Sequence, residues 1–178
     1  GQYRPLTDAQ VETVHEAALT ILEKTGFTFE AGLDDMLALL EKAGARIDSA
    51  RQRIFFPRGL VMEQAALAPE RFTLFGRGER PDIALGEDRV YLGTGGAAIK
   101  ILDLETGEAR PTTLSDMHAV ARVVDRCENI HFFLRSCIPT DIPEAAYDVN
   151  TYYASLRGTG KHVMSGVVDE AGFAKVVE

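Results

Sequence analysis

Apolar residues recur at two different spacings along the chain, and the change from one to the other divides it. Val11, Val14, Ala18, Ile21 and Leu22 fall on one stripe at helical spacing, behind Thr7-Asp8-Ala9-Gln10. That tetrad is a capping box, in which a Thr hydroxyl accepts from an early helix N–H and Gln10 reaches back, so a helix is predicted up to the stop at Gly26. Residues 27–30 read as a short extended piece. A second helix is predicted over 32–42 from Leu33, Met36, Leu37 and Leu40, a hairpin over 46–56, and a third helix from Pro57 to about residue 67, closed by Pro69. From residue 71 short alternating runs take over, at 72–75, 83–85, 89–92 and 99–104, divided by Gly-containing turns, with 105–108 turning into 109–111. The pattern changes once more after residue 111. Thr113-Leu114-Ser115-Asp116 opens a helix to about residue 126 with Met117, Val120, Ala121 and Val124 inward. Residues 130–138 are an almost continuous apolar run, as in a parallel strand covered on both faces. A helix over 143–156, a strand over 161–166 and a further helix from Asp169 follow.

Successive strand–helix units predict an α/β protein whose last part is the opening of a (β/α)8 TIM barrel, cut short at residue 178. The expected regions are a helical part with a hairpin (1–70), a β-rich segment leading into the barrel (71–111), and the first complete βα units of the truncated barrel (112–178). Gly1 stands where an initiator Met is absent and is read as a cloning remnant.

Composition narrows the classes. The 178 residues suffice for a sizeable core, and 46% hydrophobic with 26% charged residues is ordinary for a globular chain. A formal net charge of -8 argues against a nucleic-acid reader, which carries a basic face. No run approaches the roughly 18 apolar residues of a membrane span, and the expected compartment is the cytoplasm. Cys127 and Cys137 have no neighbouring set of Cys and His with metal-ligand spacing, so neither a disulfide framework nor a metal site is expected.

The run Gly93-Thr94-Gly95-Gly96-Ala97-Ala98 invites comparison with nucleotide and S-adenosylmethionine glycine motifs. Those need a helix immediately after the glycines, and the alternating, β-branched run 99–104 reads as a strand instead. The run is either a turn lining a pocket at a strand end or a structural turn. His15, His118, His131 and His162 are scattered, on helices and at strand starts, where structural roles prevail. Strand ends are the better place for chemistry in a barrel, which singles out Ser136-Cys137 and Ser165-Gly166 as ligand-binding or strand-finishing residues. Cys137 has no visible base and reads as packing. Asp141, between Pro139 and Pro143, fits a helix entry or Asx turn better than a sensor of cationic substrate. Of Tyr91, Phe132, Phe133, Tyr147, Tyr152 and Tyr153, one or two could face a quaternary ammonium, whose charge is drawn to ring faces.

Stretches across nearly the whole chain, "VHEAALTILEKTGFTFE", "LLEKAGARIDSARQRIFFPRGLVMEQAALAPERFTLFGR", "YLGTGGAAIKILDLETGEARPTTLSDMHAVARVVDRCENIHFF" and "IPTDIP", together resemble the trimethylamine methyltransferase family, which includes enzymes acting on glycine betaine. The resemblance implies a longer protein that moves a methyl group from a tertiary or quaternary amine to Co(I) of a corrinoid (cobalamin) carried by a separate protein. No cofactor would be bound directly. A small amine and the cognate corrinoid protein are the implied partners, and a homo-oligomer is expected. Trimethylamine members use pyrrolysine at a position beyond this segment, so the amine stays open. Thr94, Gly95, Gly96, Ser136 and Ser165 are the expected substrate-binding residues, with catalytic residues unassigned. Two other classes remain: an S-adenosylmethionine-dependent methyltransferase using the glycine run, and a non-catalytic interaction module.

Overall fold

The computed structural model describes residues 3–178, so Gly1 and its reading as a cloning remnant lie outside the described residues. The chain forms two compact units, residues 1–69 and 70–178.

In the first unit, helix α1 (Asp8–Thr20) starts at the expected capping box, with Gln10 N donating to Thr7 Oγ1 and Thr7 N to Gln10 Oε1. It runs on as one wider turn, Ile21–Thr25, and ends at Gly26. Gly26 has φ +66°, and a Cβ there would collide with the Ile54 carbonyl oxygen, so both conformation and space require glycine. Strand β1 (Phe27–Thr28), helix α2 (Asp34–Lys42), strands β2 (Arg46–Asp48) and β3 (Arg53–Phe55) and helix α3 (Arg58–Ala66) follow. The predicted hairpin is present, with Ile47 opposite Ile54, and β1 joins it to give an antiparallel sheet in the order β1-β3-β2. Leu19, Ala45, Ile54 and Phe55 are buried. The stripe on α1 departs from expectation: Val11, Val14 and Ile21 are more than half exposed. Burial on this helix falls instead on Leu19, with Glu16 partly covered, and of the predicted stripe Leu22, in the wider turn, is partly covered; Glu16 forms an ion pair with Arg58 of α3 at 2.5 Å.

The second unit opens with an antiparallel pair, β4 (Phe72–Leu74) and β5 (Ile83–Leu85). A second antiparallel pair, β6 (Lys100–Leu102) and β7 (Ala109–Pro111), leads into helix α4 (Leu114–Arg126). Then come β8 (Phe132–Leu134), a 3-10 turn at Glu144–Ala146, α5 (Tyr147–Gly158), β9 (His162–Met164) and α6 (Glu170–Val177). β8 and β9 are parallel, with Phe132, Phe133 and Leu134 opposite His162, Val163 and Met164. The regular part of β8 is shorter than the predicted run of 130–138.

The main correction concerns residues 93–98. They do not form a turn. They run alongside β8 on its other side, in parallel bridges at Gly93–Phe132 and Ala98–Cys137, with Ala97 in the left-handed region at φ 65°. β8 is therefore the middle member of three parallel segments. The expected inward face of α4 holds: Met117, Ala121 and Val124 join Phe133, Cys137 and Ala154 in the core. A Cβ on Gly158, the last residue of α5, would collide with the Ala121 Cβ and come within 3.0 Å of the His118 carbonyl oxygen. That glycine is what lets α5 approach α4. The described residues thus give a mixed α/β chain with small sheets; they do not contain a closed barrel.

Two polar devices hold this unit. Asp125 accepts from Thr159 Oγ1 (2.9 Å), Gly160 N (3.0 Å) and the Arg80 guanidinium. Burial alone would raise its pKa, but these donors together outweigh burial and hold it below the ordinary carboxylate value. Arg110 of β7 binds Asp103 (3.0 Å) and, in a fork, both carboxylate oxygens of Asp116 (2.7 and 2.9 Å). Asp116 also completes the capping box of α4 with Thr113, so one guanidinium ties the hairpin to the helix start. The Arg110 bond, with the backbone N–H groups of Thr106 and Glu105, lowers the Asp103 pKa to about 2; Asp116 is lowered as well, first by Arg110. Because the folded values lie below the unfolded ones, the stabilisation is complete above about pH 4 and is lost as pH falls toward the folded values. Acid titration followed by carboxyl NMR is expected to show Asp103 titrating near 2, and Arg110→Met to return both aspartates toward the ordinary range of about 3.9.

Candidate functional site

The C-terminal ends of the three parallel segments converge. Ala97 N donates to Arg135 O (3.3 Å), Ala98 N to Ser136 O (3.1 Å) and Arg135 N to Met164 O (3.0 Å). These bonds set Gly96, Ser136 and Ser165 on neighbouring segments at one end of the array. Ser136 Oγ is buried without a hydrogen-bond partner of good geometry; the Cys137 sulfur beside it is a weak one. The Ser165 carbonyl accepts from the Tyr152 hydroxyl at 2.8 Å, and its own hydroxyl reaches only the Gly166 carbonyl at 3.3 Å. Gly95 and Gly96 are exposed; a Cβ on Gly96 would meet Leu134 Cδ2 at 3.2 Å, and Gly95 faces open space.

Thr94 sits lower and is occupied structurally. Its hydroxyl accepts from Leu134 N (2.9 Å) and donates to Leu134 O (2.6 Å), taking the place of a backbone partner in the ladder. Gly93 is needed next to it, since a Cβ would overlap the Phe132 ring.

The remaining candidates are engaged elsewhere. His131 Nδ1 accepts from Leu92 N (3.0 Å), while the rings of His118 and His162 meet the Ala154 and Phe75 carbonyls at 3.1 Å. Cys137 is buried, and burial raises its thiol pKa despite nearby Ser136 and Thr112 hydroxyls, so it stays protonated and unreactive at neutral pH. Asp141 Oδ1 accepts from Leu114 N at 2.9 Å and caps the start of α4 from a distant loop, a form of the expected helix-entry role. Tyr91 packs edge-on to His131, Phe133 is core, and Tyr153 is exposed.

Two residues not singled out from the sequence, Arg135 and Asp148, also belong to this end, beside Tyr147 of the aromatic set. The Arg135 guanidinium lies over the Tyr147 ring, 5.3 Å from its centroid, and Nη1 is buried without a partner. Burial raises the Tyr147 pKa, with Arg135 opposing. Asp148 is 5% exposed; Oδ2 accepts from Val168 N (2.9 Å) and Oδ1 has no partner. Asp148 also lines a cavity of about 410 Å³ at the starts of α5 and α6, with Glu144, Asp169 and Lys175. An arginine inside the apolar run His131-Phe132-Phe133-Leu134-Arg135-Ser136-Cys137-Ile138 was the available sequence signal. Among the described residues there is no group of three or more His, Cys, Asp or Glu side chains placed to hold a metal ion, and no helix is long and apolar enough to cross a membrane.

Parallel segments with polar residues gathered at their C-terminal ends are the arrangement of an α/β enzyme that works at strand ends. Over residues 1–178 the sequence matches the family model described as trimethylamine methyltransferase, and the chain belongs to that family. It is 31% identical to the trimethylamine methyltransferase of Desulfitobacterium hafniense over 97% of this chain and 34% of that protein. It is 29% identical to a glycine betaine methyltransferase of the same species, over 92% of this chain and 33% of the relative. A trimethylamine methyltransferase of Methanosarcina mazei is 23% identical over 90% and 33%. The chain spans about a third of the length of these relatives.

Proposed function

We propose that this chain forms part of an enzyme that moves a methyl group from a tertiary or quaternary amine, of the trimethylamine or glycine betaine kind, to the Co(I) of a corrinoid on a separate protein. The family match along the whole chain carries the reading. The corrinoid supplies the nucleophile. A quaternary ammonium leaves as a neutral amine and needs no proton, so this chain's own residues have to orient the cation and exclude water. In this reading Gly96, Ser136 and Ser165 do that at the strand ends, supported by the backbone bonds that set them on neighbouring segments and by the open space at Gly95. Thr94 serves the same end by fixing the segment that carries the glycines. In this reading the parallel units begin a (β/α)8 barrel, in a cytoplasmic homo-oligomer that meets its corrinoid protein at the strand ends.

Replacing Ser136 or Ser165 with leucine in the full-length enzyme is expected to lower kcat/KM for methyl transfer by roughly 100-fold, the size of effect produced by misplacing a bound reactant. Turnover at the unaltered rate in both variants would remove them from the site. Calorimetry with S-adenosylmethionine is expected to give no heat of binding, because the element after the glycines is a strand where a helix would be required; saturable binding would favour the other methyltransferase class.

A further inference from the structure

Helix α1 has two opposed faces. One, through Leu19 and Glu16, is committed to its own unit: Leu19 is buried, and Glu16 forms the ion pair with Arg58 of α3. On the other lie Val11, Val14, Ala18 and Ile21, all exposed, the three larger ones by more than half. Their spacing of three, four and three residues is that of the first and fourth positions of two successive heptads, and Leu19 and Glu16 fall on the side turned away from these. The outward face of a surface helix is ordinarily polar; this one carries the narrow apolar seam of a coiled coil.

The composition of the seam points to what it meets. The positions beside it, Gln10, His15, Ala17 and Leu22, include no acid, so two chains of net charge -8 can approach here without carboxylates being forced together. Side-chain volume sets the direction. Laid antiparallel about a two-fold axis, Val11 meets Ile21 of the second copy and Val14 meets Ala18, so a larger residue covers the small one. A parallel pair would put alanine against alanine, leave that layer underfilled and align the two helix dipoles. Just before the helix, Tyr3 and Leu6 are 90% and 49% exposed, and in an antiparallel pair that segment runs past the end of the other α1. With them each copy offers apolar surface on the order of 600 Å², which brings the pair to the lower end of the ~1,200–2,000 Å² that specific interfaces bury. We propose that the exposed face of α1 is a contact between two copies of this chain, an antiparallel two-fold helix pair with Val14 and Ala18 at its centre. It gives a surface to the homo-oligomer of the reading above, and its test makes no use of methyl transfer, so either can fail alone.

The test is made on the full-length protein by sedimentation velocity. Wild type is expected to be a dimer or a larger even-numbered assembly, and Val14→Glu to halve it, with the Kd of the pair raised roughly 100-fold or more, because the two-fold buries the carboxylate twice in an apolar seam. Val14 is exposed in the single chain, so the variant should keep the circular dichroism of wild type. A monomeric wild type, or an assembly of the same size and Kd in Val14→Glu, overturns the proposal and gives the seam to another segment of the longer protein. Direction is read by co-expressing Val14→Cys and Ala18→Cys chains under different tags and oxidising them. A disulfide-linked pair carrying both tags is expected, since facing positions in such a pair come within the ~4.4–6.8 Å between Cα atoms that a disulfide needs. Wild type, with its free Cys127 and Cys137, is the control and should give none. This linkage also decides the matter if Val14→Glu does not fold: the mixed pair upholds the contact. No linkage, or Val14→Cys linking to itself as readily as to Ala18→Cys, overturns the antiparallel pair.

Discussion

Lys161→Met is expected to lower stability by about 3 kcal/mol, seen as an earlier urea midpoint with little change in slope. Lys161 is 8% exposed, at the foot of β9. Its ammonium donates to three carbonyls: Val124 (2.7 Å), Cys127 (2.6 Å) and Ile130 (2.5 Å). Val124 lies in the last turn of α4, and Cys127 and Ile130 belong to the connection into β8. A helix end leaves its last carbonyls without intrahelical partners, and here one cation takes up those of the helix end and the turn after it. Burial lowers the Lys161 pKa, so the carbonyls are supporting a charge that is costly to keep there. Methionine preserves the bulk and removes every donor. Lys175→Met, which loses a single 3.2 Å exposed bond to the Ala145 carbonyl, is the control and should change stability by less than about 0.5 kcal/mol. Equal midpoints for the two variants would mean that the buried cap contributes nothing beyond an exposed contact.

Thr94→Val is expected to cost about 2 kcal/mol, since it strands both the N–H and the C=O of Leu134 in the middle of the parallel array. Valine has nearly the shape of threonine, so packing is preserved and the hydroxyl alone is tested. Thr94→Ser should recover most of the loss. Hydrogen exchange at the Leu134 amide gives a local measure: strong protection in wild type and in Thr94→Ser, faster exchange in Thr94→Val. An unprotected amide in wild type would contradict the hydroxyl bridge directly.

Local signals were legible in the sequence. The capping box at Thr7, the helix start at Thr113, the stop at Gly26 and the buried face of α4 depend on residues within a turn or two of one another, and each forms as read. What the sequence hid was non-local. Glycines 93, 95 and 96 look like a turn because a ladder built from them has little side-chain pattern. Their course beside β8 depends on a Thr hydroxyl meeting a strand 40 residues later. Val11 and Val14 lie on a helical stripe, yet spacing cannot say how much of a stripe is covered. Ser136 could be placed at a strand end by counting along an apolar run, whereas the state of its hydroxyl, like that of Arg135, appears only once all neighbours are present.

The hairpin between the first parallel segment and α4 has a consequence for how sequences of this kind can diverge. Beyond the Arg110 anchor its tip is a small self-contained loop: Asp103 Oδ1 accepts from Glu105 N and Thr106 N, and Gly107 N donates to Asp103 O. Leu104 there is 97% exposed. Length added outside the anchor changes only a slowly growing loop entropy and leaves the start of α4 untouched. The tip is thus free to carry insertions, tags or new recognition loops, while the strand ends next to it stay in register.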